Sequence, residues 1–268
     1  MKNIKLMYDN FFDAVTTTVT ALTTNPDFPL ANLIHPWWSR AHHTIGHDHQ
    51  WWKWNIGVVN GAIGLESAIF KYHNFSANST IGLYGHDTDL GDDPAVWIAH
   101  GDTLKVPLVY GVDWNSKILC KYWNSLQTFQ WWLLSVDDPD NAVGHLILGR
   151  PYGGPWFSPF YNFTNAYTVR LADPSIRKYS LGGQLSSMRR LIYRGMKYEF
   201  QWVVAADKEI FEEIFEDYVG MHTPYFLCRD SDKPITTTSY VENVTDWEFP
   251  HIQMDQLFSF SFEVKESA

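Results

Sequence analysis

Along the first two thirds of the chain, apolar residues come in short runs that change face every second position, and almost no stretch keeps a helical period. Such alternation marks a strand, because successive side chains of a pleated backbone point to opposite faces. The pattern predicts strands over residues 51–58, 67–73, 80–84, 95–99, 105–110, 117–123, 129–136 and 145–148. Between them stand Asn60-Gly61, Gly85-His86-Asp87, Gly91-Asp92-Asp93-Pro94 and Asp137-Asp138-Pro139-Asp140-Asn141, residue types that favour turns. Short strands at this spacing predict a sandwich or a barrel. Residues 128–134 are nearly continuous in apolar character, which predicts a central strand buried on both faces.

The texture changes after Gly149. The run Arg150-Pro151-Tyr152-Gly153-Gly154-Pro155-Trp156 and the pair Asp173-Pro174 resist regular structure and predict a connector. Its aromatics (Tyr152, Trp156, Phe157, Phe160, Tyr161, Phe163) hold it against a surface. Residues 188–204 then read as one long strand or a bent pair. An amphipathic helix follows, with Asp207 as N-cap, Ile210, Phe211, Ile214, Phe215 and Tyr218 on one face, glutamates on the other, and Gly220 as the stop. Strands recur at 225–229, 236–242 and 257–264. The last of these sets Phe258, Phe260 and Phe262 against Ser259, Ser261 and Glu263, the phase of a half-buried antiparallel strand. The predicted organisation is mainly β: a sandwich over 1–150, an aromatic-rich connector over 151–183, and a smaller α+β domain over 184–268 with an antiparallel sheet and one amphipathic helix.

Composition sharpens this reading in one respect. The 13 Trp, 14 Tyr and 17 Phe suit strands and the buried centres of interfaces. A net charge of -10, with Arg189-Arg190 the longest basic grouping, argues against direct nucleic-acid binding, which needs clustered cations. No stretch approaches the length needed to span a membrane, and none near the start resembles a signal core. Synthesis and persistence in a cytoplasm are the expectation. Cys120 and Cys228 are read as two buried free thiols.

Several segments together resemble bacteriophage tail proteins that carry a discoidin-like (galactose-binding-like) jelly roll at the N-terminus. They are the entry loop Asn25-Pro26-Asp27-Phe28-Pro29-Leu30-Ala31-Asn32-Leu33 with Ser39-Arg40, the strand Ala68-Ile69-Phe70-Lys71-Tyr72-His73-Asn74-Phe75, and Lys121-Tyr122-Trp123 followed by Trp131-Trp132-Leu133-Leu134-Ser135-Val136-Asp137-Asp138. At the second of these Tyr72 stands where the family has Gly. Ser180-Leu181-Gly182-Gly183-Gln184 and His222-Thr223-Pro224-Tyr225-Phe226-Leu227 extend the likeness to about Val264. The resemblance implies an antiparallel jelly-roll sandwich followed by a tube-like assembly domain. It also implies a structural role at the tail tip or baseplate of a virion, with other tail proteins as partners and a homo-oligomeric ring.

Little in the sequence points to catalysis. There is no nucleophile elbow, no phosphate-cradling Gly-rich loop, and no carboxylate pair whose spacing separates it from a turn. No enzymatic activity and no cofactor are expected. The histidines of the 35–49 segment (His35, His42, His43, His47, His49) could be offered to a transition metal, and Asp87, Asp89, Asp92 and Asp93 to calcium. Hydrogen bonding in polar loops and turns is the preferred reading of both sets. The alternative to assembly is carbohydrate binding, possible for a host surface polysaccharide, because sugar sites combine an aromatic platform with polar side chains. Trp37, Trp38, Arg40, His42 and His43 form one such set, and Tyr84, His86 and Asp87 another.

Overall fold

The computed structural model describes residues 3–14, 16–35, 40–57, 64–163, 167–179, 185–188, 190, 192–253 and 257–267. The chain divides into two compact units, one of residues 7–157 with 233–237, the other of 1–6, 158–232 and 238–268. Strand β1 (Lys5–Met7) lies at the edge of the sheet of the second unit. The sequence partition had placed this segment with the sandwich. Three residues carry no local signal for the sheet they join, so that choice is made by long-range pairing.

The first unit contains β2 (Thr18–Ala21), β3 (His42–His43), β4 (Gln50–Asn55), β5 (Leu65–Lys71), β6 (Thr80–His86), β7 (Leu104–Leu108), β8 (Ile118–Gln127), β9 (Trp131–Asp137), β10 (Ile147–Leu148) and β11 (Pro151–Gly154). Five form an antiparallel sheet in the order β2-β4-β9-β6-β7, three form a second in the order β11-β5-β8, and β3 pairs with β10. Trp52, Trp54, Leu83, Trp132 and Leu134 of the first sheet and Leu65, Ala68, Phe70 and Leu119 of the second share one core. This is an antiparallel jelly-roll sandwich, as the sequence predicts. Strand β9 is central, and it is buried on both faces because Leu133 packs outward with Trp51 beneath Trp97.

That outer cover comes from the 87–103 loop and its helix α1 (Pro94–Ala99), where the sequence reading expected a strand. The Asp93 carboxylate accepts from Ala95 N–H at 2.8 Å and Pro94 opens the helix, a pairing of N-cap and proline that fixes the first turn. Six residues are too few to display a helical period. Lys53 points to the same outer face. Its ammonium bonds Asp89 at 2.9 Å and Asp92 at 2.7 Å and lies 5.8 Å and 5.4 Å from the Trp51 and Trp131 ring centres. The loop is thereby clamped onto the sheet.

Strand β11 falls where the sequence predicts an irregular connector. Its two glycines are there for close approach: a Cβ on Gly154 would stand 2.0 Å from the Asp9 carbonyl oxygen, and one on Gly153 would meet the Phe12 ring at 2.6 Å. Tyr152, Phe157 and Phe163 are buried, as the expected packing of this segment requires, but Phe160 and Tyr161 are exposed, against that expectation.

The second unit adds β12 (Thr168–Ala172), β13 (Ile176–Tyr179), β14 (Leu185–Met188), β15 (Tyr193–Val204), β16 (Tyr225–Cys228), β17 (Thr238–Asn243), β18 (His251–Gln253) and β19 (Leu257–Glu266). Its sheet runs β1-β16-β17-β19-β15-β12, with β18 also on β19, while β13 and β14 pair as a separate two-stranded arm. Strands β12 and β13 also replace part of the predicted connector. Most of the predicted 188–204 strand is the single long strand β15; β14 meets that range only at Met188. Helix α2 (Ala205–Glu213) passes into a wider π turn, Ile214–Val219, and Gly220, with φ 48°, stops it. Phe211 and Ile214 are buried, as the periodicity predicts, Phe211 against Phe200 and Phe260. Asp207 is not the cap. It sits in the first turn after Val204, and its carboxylate accepts from Phe160 N–H at 2.8 Å. Cys120 and Cys228 are both buried, and neither is in a disulfide. Among the described residues no helix is long and apolar enough to cross a membrane.

Candidate functional site

The loops that precede β4 and follow β9 meet at β3 and β10. Asn25 folds the turn 25–28 on itself: its side-chain oxygen accepts from Asp27 N–H at 3.0 Å and its carbonyl from Phe28 N–H at 3.0 Å. The turn is hung on the backbone of His43, whose N–H donates to the Phe28 carbonyl at 3.3 Å and whose carbonyl accepts from Asn25 N–H at 2.9 Å. Phe28 therefore lies flat on the His43 ring, with centroids 3.7 Å apart and planes within 7°. The other side of His43 meets His145 at 5.0 Å. Three rings make a column, and its end ring, Phe28, is 38% exposed.

A buried polar network fixes the loop that carries His145. The Asp138 carboxylate, with no exposed surface, accepts from Ser76 N–H at 2.8 Å, from the Ser76 hydroxyl, and from Asn141 Nδ2 at 3.0 Å. Asn74 Nδ2 donates to the His145 carbonyl at 2.8 Å, and Asn74 Oδ1 accepts from Ile147 N–H at 2.8 Å. Every member has its partner, which is what rigidifies such a network.

The His42 and His43 imidazoles are held uncharged at neutral pH. Burial, and secondarily the neighbouring His145, hold His43 below the ordinary histidine range. His42 is pushed down to about 4 by burial first and His43 second. An indole N–H can only donate, so the 2.9 Å contact from Trp52 Nε1 makes His42 Nδ1 an acceptor and leaves its proton on Nε2, which faces Thr24 Oγ1 at 3.3 Å. Neutral rings that present both a donor and an acceptor suit hydroxyl-rich ligands better than anions.

The structure sorts the sequence candidates sharply. Arg40 is exposed, two residues before buried His42, and His43 is the middle ring of the column. Trp37 and Trp38 lie outside the described residues. Tyr84 and His86 face the opposite side of the five-stranded sheet. Tyr84 packs in the Trp51–Trp97–Leu133 cluster. His86 Nδ1 accepts from Thr88 N–H at 3.0 Å, and its ring meets His100 edge-on at 4.6 Å. Asp87 is exposed in the following loop. The two candidate sets therefore do not form one site. Phe28 and His145 complete the column and are not among the sequence candidates, although Phe28 stands in the entry-loop motif.

Among the described residues no three His, Cys, Asp or Glu side chains converge as metal ligands. His47 Nδ1 lies 3.0 Å from the Asp138 carbonyl, and His49 is paired with Asp137 at 3.4 Å. Of the four acidic residues weighed for calcium, Asp89 and Asp92 hold Lys53 and Asp93 caps α1.

No protein-family model and no curated protein matches the chain. Among solved structures, the family 32 CBM of Clostridium perfringens NanJ, determined with galactose, is similar at 10% identity and a TM-score of 0.38, over 57% of this chain and 99% of that one. The lectin domain of lectinolysin, determined with Lewis B antigen, is similar at 10% identity and a TM-score of 0.36, over 54% and 95%. A fucolectin from striped bass (Morone saxatilis) serum gives 7% identity and a TM-score of 0.38, over 97% and 99%. Nothing among these comparisons points to a phage tail protein. The class of the protein is set by its own strands: a mostly β chain in which an antiparallel jelly roll is joined to an α+β unit.

Proposed function

We propose that the jelly-roll unit binds carbohydrate and acts without catalysis. The observation that carries this reading is the Phe28–His43–His145 column, an exposed aromatic ring backed by two imidazoles, with exposed Arg40 three residues before His43 in the chain. An aromatic face accepts the C–H face of a sugar ring, while ring nitrogens and a guanidinium serve its hydroxyls. Rigidity adds to affinity because little side-chain entropy is lost on binding.

The test is a glycan array probed with the whole chain, followed by titration of any hit. Phe28→Ala is expected to weaken binding about 10-fold or more, on the order of the 1.4 kcal/mol that a lost stacking contact represents. A chain that binds nothing on the array, or a Phe28→Ala protein that binds as the parent does, rules the site out.

A second reading, assembly as a structural subunit of a phage tail, is favoured by the arm of the second unit. Val169, Leu171, Tyr179, Met188 and Ile192 are exposed along β12, the arm and the approach to β15, and β12 ends its sheet with an edge open to pairing. Exposed apolar residues on an edge strand invite a second chain. On this reading the copies form a homo-oligomeric ring with other tail proteins, and the jelly roll can still meet a host polysaccharide. If so, Leu171→Asp with Tyr179→Asp shifts the sedimenting mass towards the monomer. An unchanged mass, or virions that an antibody against the chain does not label at the tail, removes this reading.

A further inference from the structure

The sheet of the second unit carries a trough that the jelly-roll reading does not use. It arises from a register shift between β15 and β19. Phe200 pairs with Phe260 and Val203 with Phe258, so Gln201 and Trp202 together oppose one residue, Ser259. Strict alternation would turn Trp202 inward after Tyr198 and Phe200. The bulge turns it outward instead, and its side chain is 54% exposed. Trp202 then forms one wall of a cavity of about 520 Å3, with Glu199 and Gln201 beside it, Glu248 on the opposite wall and Ser259 and Ser261 in the lining. A neighbouring hollow of about 490 Å3 shares Glu248 and Ser261 and adds Asp246 and Glu263.

Two more aromatics stand beside Trp202, outside the lining of the two hollows. The Tyr161 ring stands 6.3 Å from Trp202, and the Phe160 ring 4.8 Å from Tyr161, both edge-to-face. Phe160 is 71% and Tyr161 43% exposed. Three exposed aromatic rings in a row beside a hydroxyl- and carboxylate-lined trough define the ligand chemistry. The rings offer stacking faces, and the carboxylates, the Gln201 amide and the serines offer hydrogen bonds to hydroxyls. The carboxylates disfavour anions: Lys197, which lines the second hollow, is paired with Glu199 at 2.7 Å and Arg170 with Glu263, so Glu248 and Asp246 leave the lining with a net negative charge. The centre of a protein interface is depleted of such charges, which argues against a second protein as occupant.

We propose that this trough binds an uncharged, chain-like glycan, with one sugar stacked on Trp202 and its hydroxyls bonded by Gln201 and Glu248. The two adjoining hollows suit consecutive sugar units. The site lies wholly within the second unit and does not depend on the jelly-roll site.

Isothermal titration of the whole chain with three neutral hexasaccharides (maltohexaose, cellohexaose and chitohexaose), and with an anionic hyaluronan hexasaccharide as the contrast, tests the site. At least one neutral chain is expected to bind and the anionic one not. Trp202→Ala and Glu248→Gln should each weaken that binding at least 10-fold, and Trp202→Phe less, while Phe28→Ala leaves it in place. Because Trp202 and Glu248 are exposed, these variants are expected to fold, and an unchanged circular dichroism melt verifies it. Binding lost on Phe28→Ala but kept by Trp202→Ala would assign the glycan to the jelly roll and overturn the trough. So would equal binding of the anionic chain, or no binding of any neutral chain at millimolar concentration. A Trp202→Ala protein whose sedimenting mass falls while glycan binding persists makes the trough a protein contact, which also overturns it.

Discussion

Replacing Asp138 by Ala is expected to destabilise the jelly-roll unit by about 3–5 kcal/mol, because removing one acceptor strands several buried donors at once. The Ser76 N–H, the Ser76 hydroxyl and Asn141 Nδ2 all point at its carboxylate. A hydrogen bond to a charged group contributes roughly 1.5–3 kcal/mol, and each orphaned buried donor costs about 1–3 kcal/mol. Hydroxyl rotation and entry of water offset part of this, which keeps the expected loss below the full sum. Asp138→Asn retains the shape but places an amide N–H opposite existing donors, so it should recover only part of the stability. The loop carrying His145 should loosen with either change, and glycan binding should fall with it. Urea unfolding followed by tryptophan fluorescence gives the number. A loss under about 1 kcal/mol would mean that the network is not what holds these loops.

The second large effect is acid destabilisation. His42 and His73 are held near 4 in the folded protein, against 6.5 for a free histidine, in both cases chiefly by burial. Above 6.5 neither state binds these protons and nothing is lost. Between 6.5 and about 4 the unfolded chain takes up protons that the folded chain refuses, so stability falls with pH, by up to about 3 kcal/mol for each histidine. Asp13 acts in the opposite sense. Burial outweighs its Arg150 partner and raises it from 3.8 to about 6, so falling pH returns up to about 3 kcal/mol between 6 and 3.8. The net expectation is a loss of roughly 3–4 kcal/mol between pH 6.5 and 4. His42→Gln should remove about half of the histidine part. Denaturant midpoints across this range decide the matter, and a flat or rising profile would contradict the assignment of His42 and His73 as buried neutral rings.

How much of this was legible beforehand follows from the distance over which each signal acts. Alternation located seven of the ten described strands of the jelly roll and missed β2, β3 and β11; the nearly continuous apolar run at 128–134 correctly marked β9 as central, because burial on both faces leaves no polar phase. Helix α2 showed itself through Phe211 and Ile214. Helix α1 did not, since its six residues complete fewer than two turns, and the Asp93-Pro94 pair serves equally as a turn signal. Asp207 was an acceptable cap by residue type; the structure uses it to hold Phe160 instead. Of the candidate ligand residues, His43 is the middle ring of the column, while Tyr84 and His86 are taken up by packing under α1.

By itself, then, the sequence determined the strand-rich class, the two-part organisation, the buried thiols and the amphipathic helix, all of which rest on patterns a few residues long. Tertiary structure alone decided that residues 5–7 pair in the sheet of the second unit. It alone laid Phe28 on His43 and His43 on His145, across more than a hundred residues of chain. It also turned Trp202 outward through a single-residue bulge that no period of two can announce. Those outcomes depend on which backbone groups find each other across long closures, and that information is held by the whole core rather than by any one segment.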